Sequence, residues 1–244
     1  MEIKLDGKKA LVTGAGKGIG RDIAKKLVEY GAETYALSRT QTDLDSLKAE
    51  VPSIHVIQVD LSDWDQTRET VTKIGPVDFL VNNAGVGLVA KFLELTKEDL
   101  EMSMNVNFNA VFNVSQVVAK RMVENGQGGS IVNISSAAST GALEDHSAYC
   151  PSKAAVDMLT KCMALELGPH KIRINSVNPT VVWTPMAEKN WSDPKKSGPL
   201  LSRIPLGKFV AIEDVVNTVV FLLSDKSAMI TGECIRVDGG LGVH

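Results

Sequence analysis

Short apolar runs alternate with helix-periodic segments along the whole chain, and that rhythm limits what it can fold into. KKALVTG, ETYALSR, IHVIQVD, VDFLVNN, GSIVNIS, IRINSVN and ECIRVDG each read as a strand of four to seven residues. Several are apolar on both faces, as strands of a parallel sheet covered on both sides must be. Between them lie RDIAKKLVEYGA, LDSLKAEV, WDQTRETVTKIG, the long EDLEMSMNVNFNAVFNVSQVVAKRMVENG, a helical pattern after Tyr149, and IEDVVNTVVFLLS. Strand, helix, strand in this order predicts an α/β fold, a doubly wound parallel sheet of seven strands with helices on both faces. No linker, repeat or low-complexity tract divides it, so residues 1–244 are expected to form a single domain. One proline-rich stretch, WTPMAEKNWSDPKKSGPLLSRIPLGKF (183–209), breaks the rhythm and is expected to be an irregular loop or lid over a site.

Directly after the first strand comes Thr13-Gly14-Ala15-Gly16-Lys17-Gly18-Ile19-Gly20. Glycines between a strand and a helix let the backbone turn sharply and approach a pyrophosphate, which the following helix N-terminus then binds. The spacing is T-G-x-x-x-G-x-G, not the commoner G-x-G-x-x-G, but its placement marks a Rossmann-type dinucleotide site with Gly14, Lys17, Gly18, Ile19 and Gly20 at the phosphates. An acid at the end of the second strand would accept bonds from a ribose 2′-hydroxyl. Here that strand ends Ser38-Arg39-Thr40, without one. Arg39, helped by Lys17, would instead pair with a 2′-phosphate, which favours NADP(H).

The stretch YCPSK sets Tyr149 and Lys153 four residues apart around a proline. Proline is tolerated in the first turn of a helix, and i, i+4 residues share a face, so phenol and ammonium are expected to point together. A tyrosine ordinarily keeps its proton to pH ~10. A cation beside it favours the phenolate, so Lys153 is expected to lower that value.

The chain carries a net charge of −3 with a pI near 5.9, no footprint for nucleic acid. No apolar run approaches the ~20 residues of a membrane span. The start MEIKLDGKKALVTG has no basic-then-apolar leader. Cys150, Cys162 and Cys234 lack paired spacing, so reduced thiols in a cytoplasmic protein are expected, with neither a disulfide nor a metal site.

With TGAGKGIG at 13–20, VDLS at 59–62, NNAG at 82–85, VN at 106–107, NISS at 133–136, YCPSK at 149–153 and NPTVVWTPM at 178–186, the chain resembles the short-chain dehydrogenase/reductase family over essentially its full length. The resemblance implies a tetrad of Asn107, Ser136, Tyr149 and Lys153. Tyrosine would be the acid/base, serine would bond the substrate carbonyl, asparagine would anchor a proton-relay water, and lysine would hold the nicotinamide ribose. It also implies Asp60 and Leu61 at the adenine, Asn83, Ala84 and Gly85 along the cofactor, and Val182 to Thr184 near the carboxamide.

The runs SRTQTDLDSL, NWSDPKK and RIPLGKF resemble a branch of the family that reduces L-xylulose and small α-dicarbonyls such as diacetyl with NADPH. That likeness implies His146 and Trp191 in the substrate pocket, with Asn190, Glu144 and Asp145 near its mouth. It also implies a homotetramer, through the C-terminal TGECIRVDGGLGVH. The rival readings are a reductase of another carbonyl (a sorbose-type ketone, a 3-oxoacyl thioester or a steroid) and a cofactor-binding regulatory protein without catalysis. Residues 137–146 and 183–209 would separate the first kind, and an intact tetrad counts against the second.

Overall fold

The computed structural model describes residues 3–243, with the side chains of residues 189 and 190 outside that description. Seven strands form one all-parallel sheet in the order β3-β2-β1-β4-β5-β6-β7. They are β1 (Lys9–Thr13), β2 (Glu33–Ser38), β3 (His55–Gln58), β4 (Phe79–Asn82), β5 (Gly129–Ile134), β6 (Ile172–Pro179) and β7 (Cys234–Val237), the seven runs read from the sequence. The inner strands β1, β4 and β5 are buried almost throughout, whereas the edge strands β3 and β7 are half-open. Burial on both faces is why the inner strands read as continuous apolar runs instead of alternating ones.

Helices cover both faces. On one, α1 (Gly18–Glu29) packs against α9 (Ile212–Leu223) through Ile23, Ala24, Leu27, Val215, Val216 and Val219. On the other, α3 (Trp64–Ile74), α5 (Ala110–Asn125) and α6 (Tyr149–Leu167) bury Val71, Val114, Val118, Met122 and Ala164. Between the strands of the first half, α2 (Gln41–Glu50) returns the chain from β2 to β3. The chain builds outward from β1 to β3, then crosses back and builds from β4 to β7. That reversal, between β1 and β4, opens a crevice at the carboxyl ends of the strands, where such sheets bind ligands.

Two local readings are corrected by the structure. The long helix between β4 and β5 is not continuous: α4 (Lys97–Met104) passes through a π-helical turn, Asn105–Asn109, before α5. There the Ala110 N–H bonds to Asn105 O, five residues back. The extra residue in that turn changes which side chains face inward, and Asn107 becomes fully buried. The second correction concerns 183–209, expected to be irregular, which contains α7 (Pro185–Trp191) and α8 (Pro194–Leu201). Two of its prolines are helix starters: Pro185 and Pro194 follow the caps Thr184 and Asp193, whose side chains accept from Ala187 N–H and Lys195 N–H at 3.3 and 2.9 Å, whereas Pro199 lies inside α8.

Candidate active site

β1 ends at Thr13, and the chain turns at Gly14 with φ +63°. A Cβ there would stand 2.7 Å from the Ala84 Cα, so no side chain fits. Next to it, Thr13 Oγ1 accepts from the Asn83 and Ala84 N–H groups at 3.0 and 3.2 Å. Asn83 Nδ2 in turn donates to Thr13 O and Gly14 O, both at 3.1 Å. These bonds sew the end of β4 to the glycine turn. Gly20 lies behind the turn, where a Cβ would run into the Asn83 amide. Helix α1 begins at Gly18 behind an extended Lys17 that supplies no side-chain cap. Its first N–H groups and the positive end of its dipole are therefore left for an anion.

The turn forms one wall of a cleft of about 530 Å³. Every candidate residue named from the sequence lines it, except Gly20 and Asn107, which brace it from behind, Trp183, which stacks on Phe209, and Glu144, Asp145 and Asn190. Glu144 is exposed, and Asp145 is spent on a turn: its φ is +62° and its carbonyl accepts from Ala90 N–H at 3.0 Å. Neither acid lines the cleft, although Leu143 and His146 on either side of them do. The Asn190 side chain lies outside the described residues.

At one end of the cleft stand Ser38, Arg39 and Thr40, with Asp60 and Leu61 beside them. Arg39 and Lys17 are both exposed. Lys17 Nζ lies 3.9 Å from Asp43 Oδ2, an acid in the first turn of α2 that also lines the cleft and that the motif reading passed over. Burial works to raise the Asp60 carboxyl. Hydrogen bonds from the Ser62 N–H and hydroxyl, together with the Arg39 charge, outweigh it and hold Asp60 below the usual range.

At the other end are Ser136, Tyr149 and Lys153. Tyr149 opens α6, and Lys153 follows one turn later on the same face, as the spacing predicted. Lys153 is buried, and its Nζ donates to Ile134 O at 2.8 Å and lies 5.8 Å from the Tyr149 ring centroid. Ser136 Oγ accepts from Ala138 N–H at 3.1 Å, which fixes the turn after β5. Asn107 reaches this end from its π turn: Oδ1 accepts from Val86 N–H at 2.8 Å, and Nδ2 donates to Val86 O and Ser152 Oγ, both at 3.0 Å. Gly85 is held so near that a Cβ on it would lie 3.3 Å from Asn107 Oδ1 and 3.5 Å from Lys153 Nζ. Both polar atoms of the Asn107 side chain thus have protein partners.

The expected tuning of Tyr149 by Lys153 is corrected as well. Burial pushes the phenol up, and the hydrogen bond with Ser136 pulls against it without prevailing. Burial also brings Lys153 down to about 8, with the Asp157 charge opposing. The ammonium is turned toward a backbone carbonyl, and desolvation governs both groups. Over the pocket, the His146 ring lies 6.0 Å from that of Tyr149, edge to face, and 6.0 Å from that of Trp191, nearly parallel at 24°. The His146 ring is oriented by a 2.6 Å contact between Nδ1 and Glu144 O. Leu143 and Arg203 also line the cleft; neither belongs to a motif.

These residues suit a nicotinamide dinucleotide. An uncapped helix N-terminus and a glycine with no room for a Cβ lie at the middle, cations at one end, and a phenol with an ammonium at the other. Among the described residues no group of three His, Cys, Asp or Glu could hold a metal ion. No helix among them is long and apolar enough to cross a membrane.

Comparison with known proteins agrees. Residues 14–242 match the family model described as enoyl-(acyl carrier protein) reductase. The chain is 57% identical to L-xylulose reductase of Mesocricetus auratus over 98% of each chain. It is 56% identical to D-erythrulose reductase of Gallus gallus, over 98% of this chain and 97% of that one. Carbonyl reductase [NADPH] 2 of Sus scrofa is 52% identical, over 98% of each. Among solved structures, a gluconate 5-dehydrogenase from Burkholderia cenocepacia in complex with NADP and tartrate superposes with a TM-score of 0.94 at 32% identity, covering 99% of this chain and 97% of that one. Sheet order, motif order and these likenesses converge: the chain belongs to the short-chain dehydrogenase/reductase family, oxidoreductases that work with a nicotinamide cofactor.

Proposed function

We propose that the chain is an NADPH-dependent reductase of short polar ketones, with L-xylulose to xylitol as its reference reaction and small α-dicarbonyls such as diacetyl as further substrates. The observation that carries this reading is the single cleft running from Arg39 and Lys17 to Tyr149, where His146 and Trp191 close over the space. The reaction classes named by its relatives, two ketose reductases and a carbonyl reductase using NADPH, support it.

In this reading NADPH supplies the hydride that adds to the carbonyl carbon. The protein does the rest. Ser136 Oγ donates to the carbonyl oxygen and orients it toward Tyr149. The Tyr149 phenol, kept protonated by burial, gives its proton to that oxygen as negative charge develops there. Lys153, its ammonium held in place by Ile134 O, holds the nicotinamide ribose. Asn107 ties the 85–86 segment to α6 and so fixes the floor beneath them. The segment 183–209, with α7 carrying Trp191, is the proposed lid, excluding water on closure.

A polyhydroxy ketone needs hydrogen-bond partners, and each one left unmade in a closed site costs about 1–3 kcal/mol. The expected ranking of kcat/KM under one NADPH concentration therefore puts L-xylulose above an acetoacetyl thioester or a 17-ketosteroid. An apolar substrate that won by about tenfold, roughly 1.4 kcal/mol in the transition state, would overturn the pocket reading and leave the oxidoreductase standing.

The choice of NADP(H) rests on Arg39 and Lys17, whose bonds to a 2′-phosphate would be charge-assisted. Arg39→Asp is expected to raise the KM for NADPH far more than that for NADH; a parent enzyme that preferred NADH would refute the assignment. We further propose that the chain acts as one domain in the cytoplasm, as a homotetramer. Trp64, Phe112, Met158 and Leu165 stand exposed on α3, α5 and α6, apolar surface that assembly would cover, and light scattering reads the mass.

A further inference from the structure

Tyr149 and Lys153 belong to a longer row on α6. The next position on that face is Asp157, again four residues on. It is 7% exposed, and a carboxylate so far from water must be matched by donors. Oδ1 accepts from Ser176 Oγ at 3.0 Å and Oδ2 from Asn178 Nδ2 at 2.7 Å. Ser176 Oγ also lies 2.8 Å from Asn178 Oδ1, so the three side chains close a ring between α6 and β6. Asn178 Nδ2 extends that ring: its second proton is shared between Ser136 O at 3.2 Å and Ser139 Oγ at 3.0 Å. One amide thus joins the buried carboxylate to the turn that carries Ser136.

We propose that Asp157 is a positioning residue of the active site: its carboxylate is the buried counter-charge of Lys153 and, through Asn178, the anchor of the Ser136 turn. The proposal rests on the assignment of Ser136 and Lys153 to the reaction. A polar strap between α6 and β6 is the plainer role. A buried charged group is a poor strap, since a well-packed apolar pair of similar volume often does as well or better. What an apolar pair could not supply is negative charge one turn from Lys153.

The other groups around the pair do not replace it. On α6, Lys153 has the Tyr149 ring on one side and Asp157 on the other, with exposed Lys161 a turn beyond. From β5 it meets Ile134 O and the Ser135 hydroxyl, which donates to Lys153 O at 3.2 Å. From β6, Asp157 meets the neutral Ser176 and Asn178. From β7 comes Cys234, whose thiol burial pushes up, with exposed Glu233 next to it.

Asp157→Asn separates charge from geometry. The new amide oxygen can accept from Asn178, while its NH2 donates to Ser176 Oγ, whose single proton then turns from position 157 to Asn178 Oδ1. The ring survives and the charge is lost. Without that charge Lys153 gives up its proton at lower pH, so the alkaline limb of kcat for ketone reduction is expected to move down by about half a pH unit or more. The dissociation constant for NADPH, read by fluorescence titration, should begin to rise at a correspondingly lower pH. The melting temperature should stay near that of the parent.

Asp157→Ser, smaller and equally neutral, is the second variant, and the same limb shift is expected of it even with some loss of stability. Asn178→Ala keeps the charge and cuts the tether, so kcat should fall about tenfold with the limb in place. A pH profile and an NADPH titration that superimpose on the parent for both Asp157 variants would overturn the proposal. Lys153→Met and Tyr149→Phe, run alongside, separate the two failures. If they are inactive while the Asp157 variants behave as parent, only the positioning role falls; if they turn over normally, the assignment of the site falls first.

Discussion

Tyr149→Phe is expected to lower ketone reduction by at least about 10²-fold while NADPH binds nearly as it does to the parent, because only general-acid help is removed. The ring keeps its place: it packs edge to face against His146, and the backbone around it is held by Ser152 Oγ donating to Tyr149 O at 2.7 Å. What goes is the proton that the proposed mechanism transfers to the substrate oxygen. Burial strengthens the case, since a phenol pushed above its ordinary value remains an acid throughout neutral pH. Steady-state rates with saturating NADPH, set beside a fluorescence titration of the nucleotide, separate chemistry from binding. A variant that kept more than about one per cent of the rate would mean that another group delivers the proton.

How far this site could be read before any coordinates depends on which physical signal each residue leaves in the chain. Parallel strands buried on both faces leave unbroken apolar runs, and the inner strands were legible for that reason. The glycine turn was legible because only glycine fits where Gly14 meets the Ala84 Cα. Tyr149 and Lys153 were legible because four residues is one helical turn. The π turn at 105–109 was not, since the helical pattern reads on through NVNFN and it is the Ala110 N–H bond to Asn105 O, five residues back, that reveals it. The helices α7 and α8 were hidden by prolines, which break helices inside and start them at the first turn.

Asp157 illustrates a different limit. An acid in a helix reads as a solvated charge, and its partners Ser176 and Asn178 lie about twenty residues away on another element. The sign of the Tyr149 shift was missed for the same reason. Sequence spacing announces a neighbouring charge, but burial, which dominates here, is a property of the whole fold.

Lys153→Met should lose most of the rate and also weaken NADPH, since the residue has two proposed roles, and it should change how stability depends on pH. In the folded chain burial brings Lys153 to about 8 from an ordinary 10.5. Below about pH 8 folded and unfolded chains both carry this proton, and the full penalty of burying the charge is present. As pH rises from about 8 toward 10.5 the folded chain binds fewer protons than the unfolded one, so this group's contribution to stability improves. Lys153→Met removes the titration. Between about pH 7 and 9 the parent should therefore gain on the variant by about 1 kcal/mol, whatever offset the lost bond to Ile134 O imposes at both pH values. For a chain of this size that is about 2–4 °C in the difference between the two melting temperatures. The offset cancels in the comparison, so the slope reports the ammonium alone. A difference that stayed flat or ran the other way would mean that Lys153 keeps an ordinary proton affinity in the fold, and that water or a stronger counter-charge reaches it.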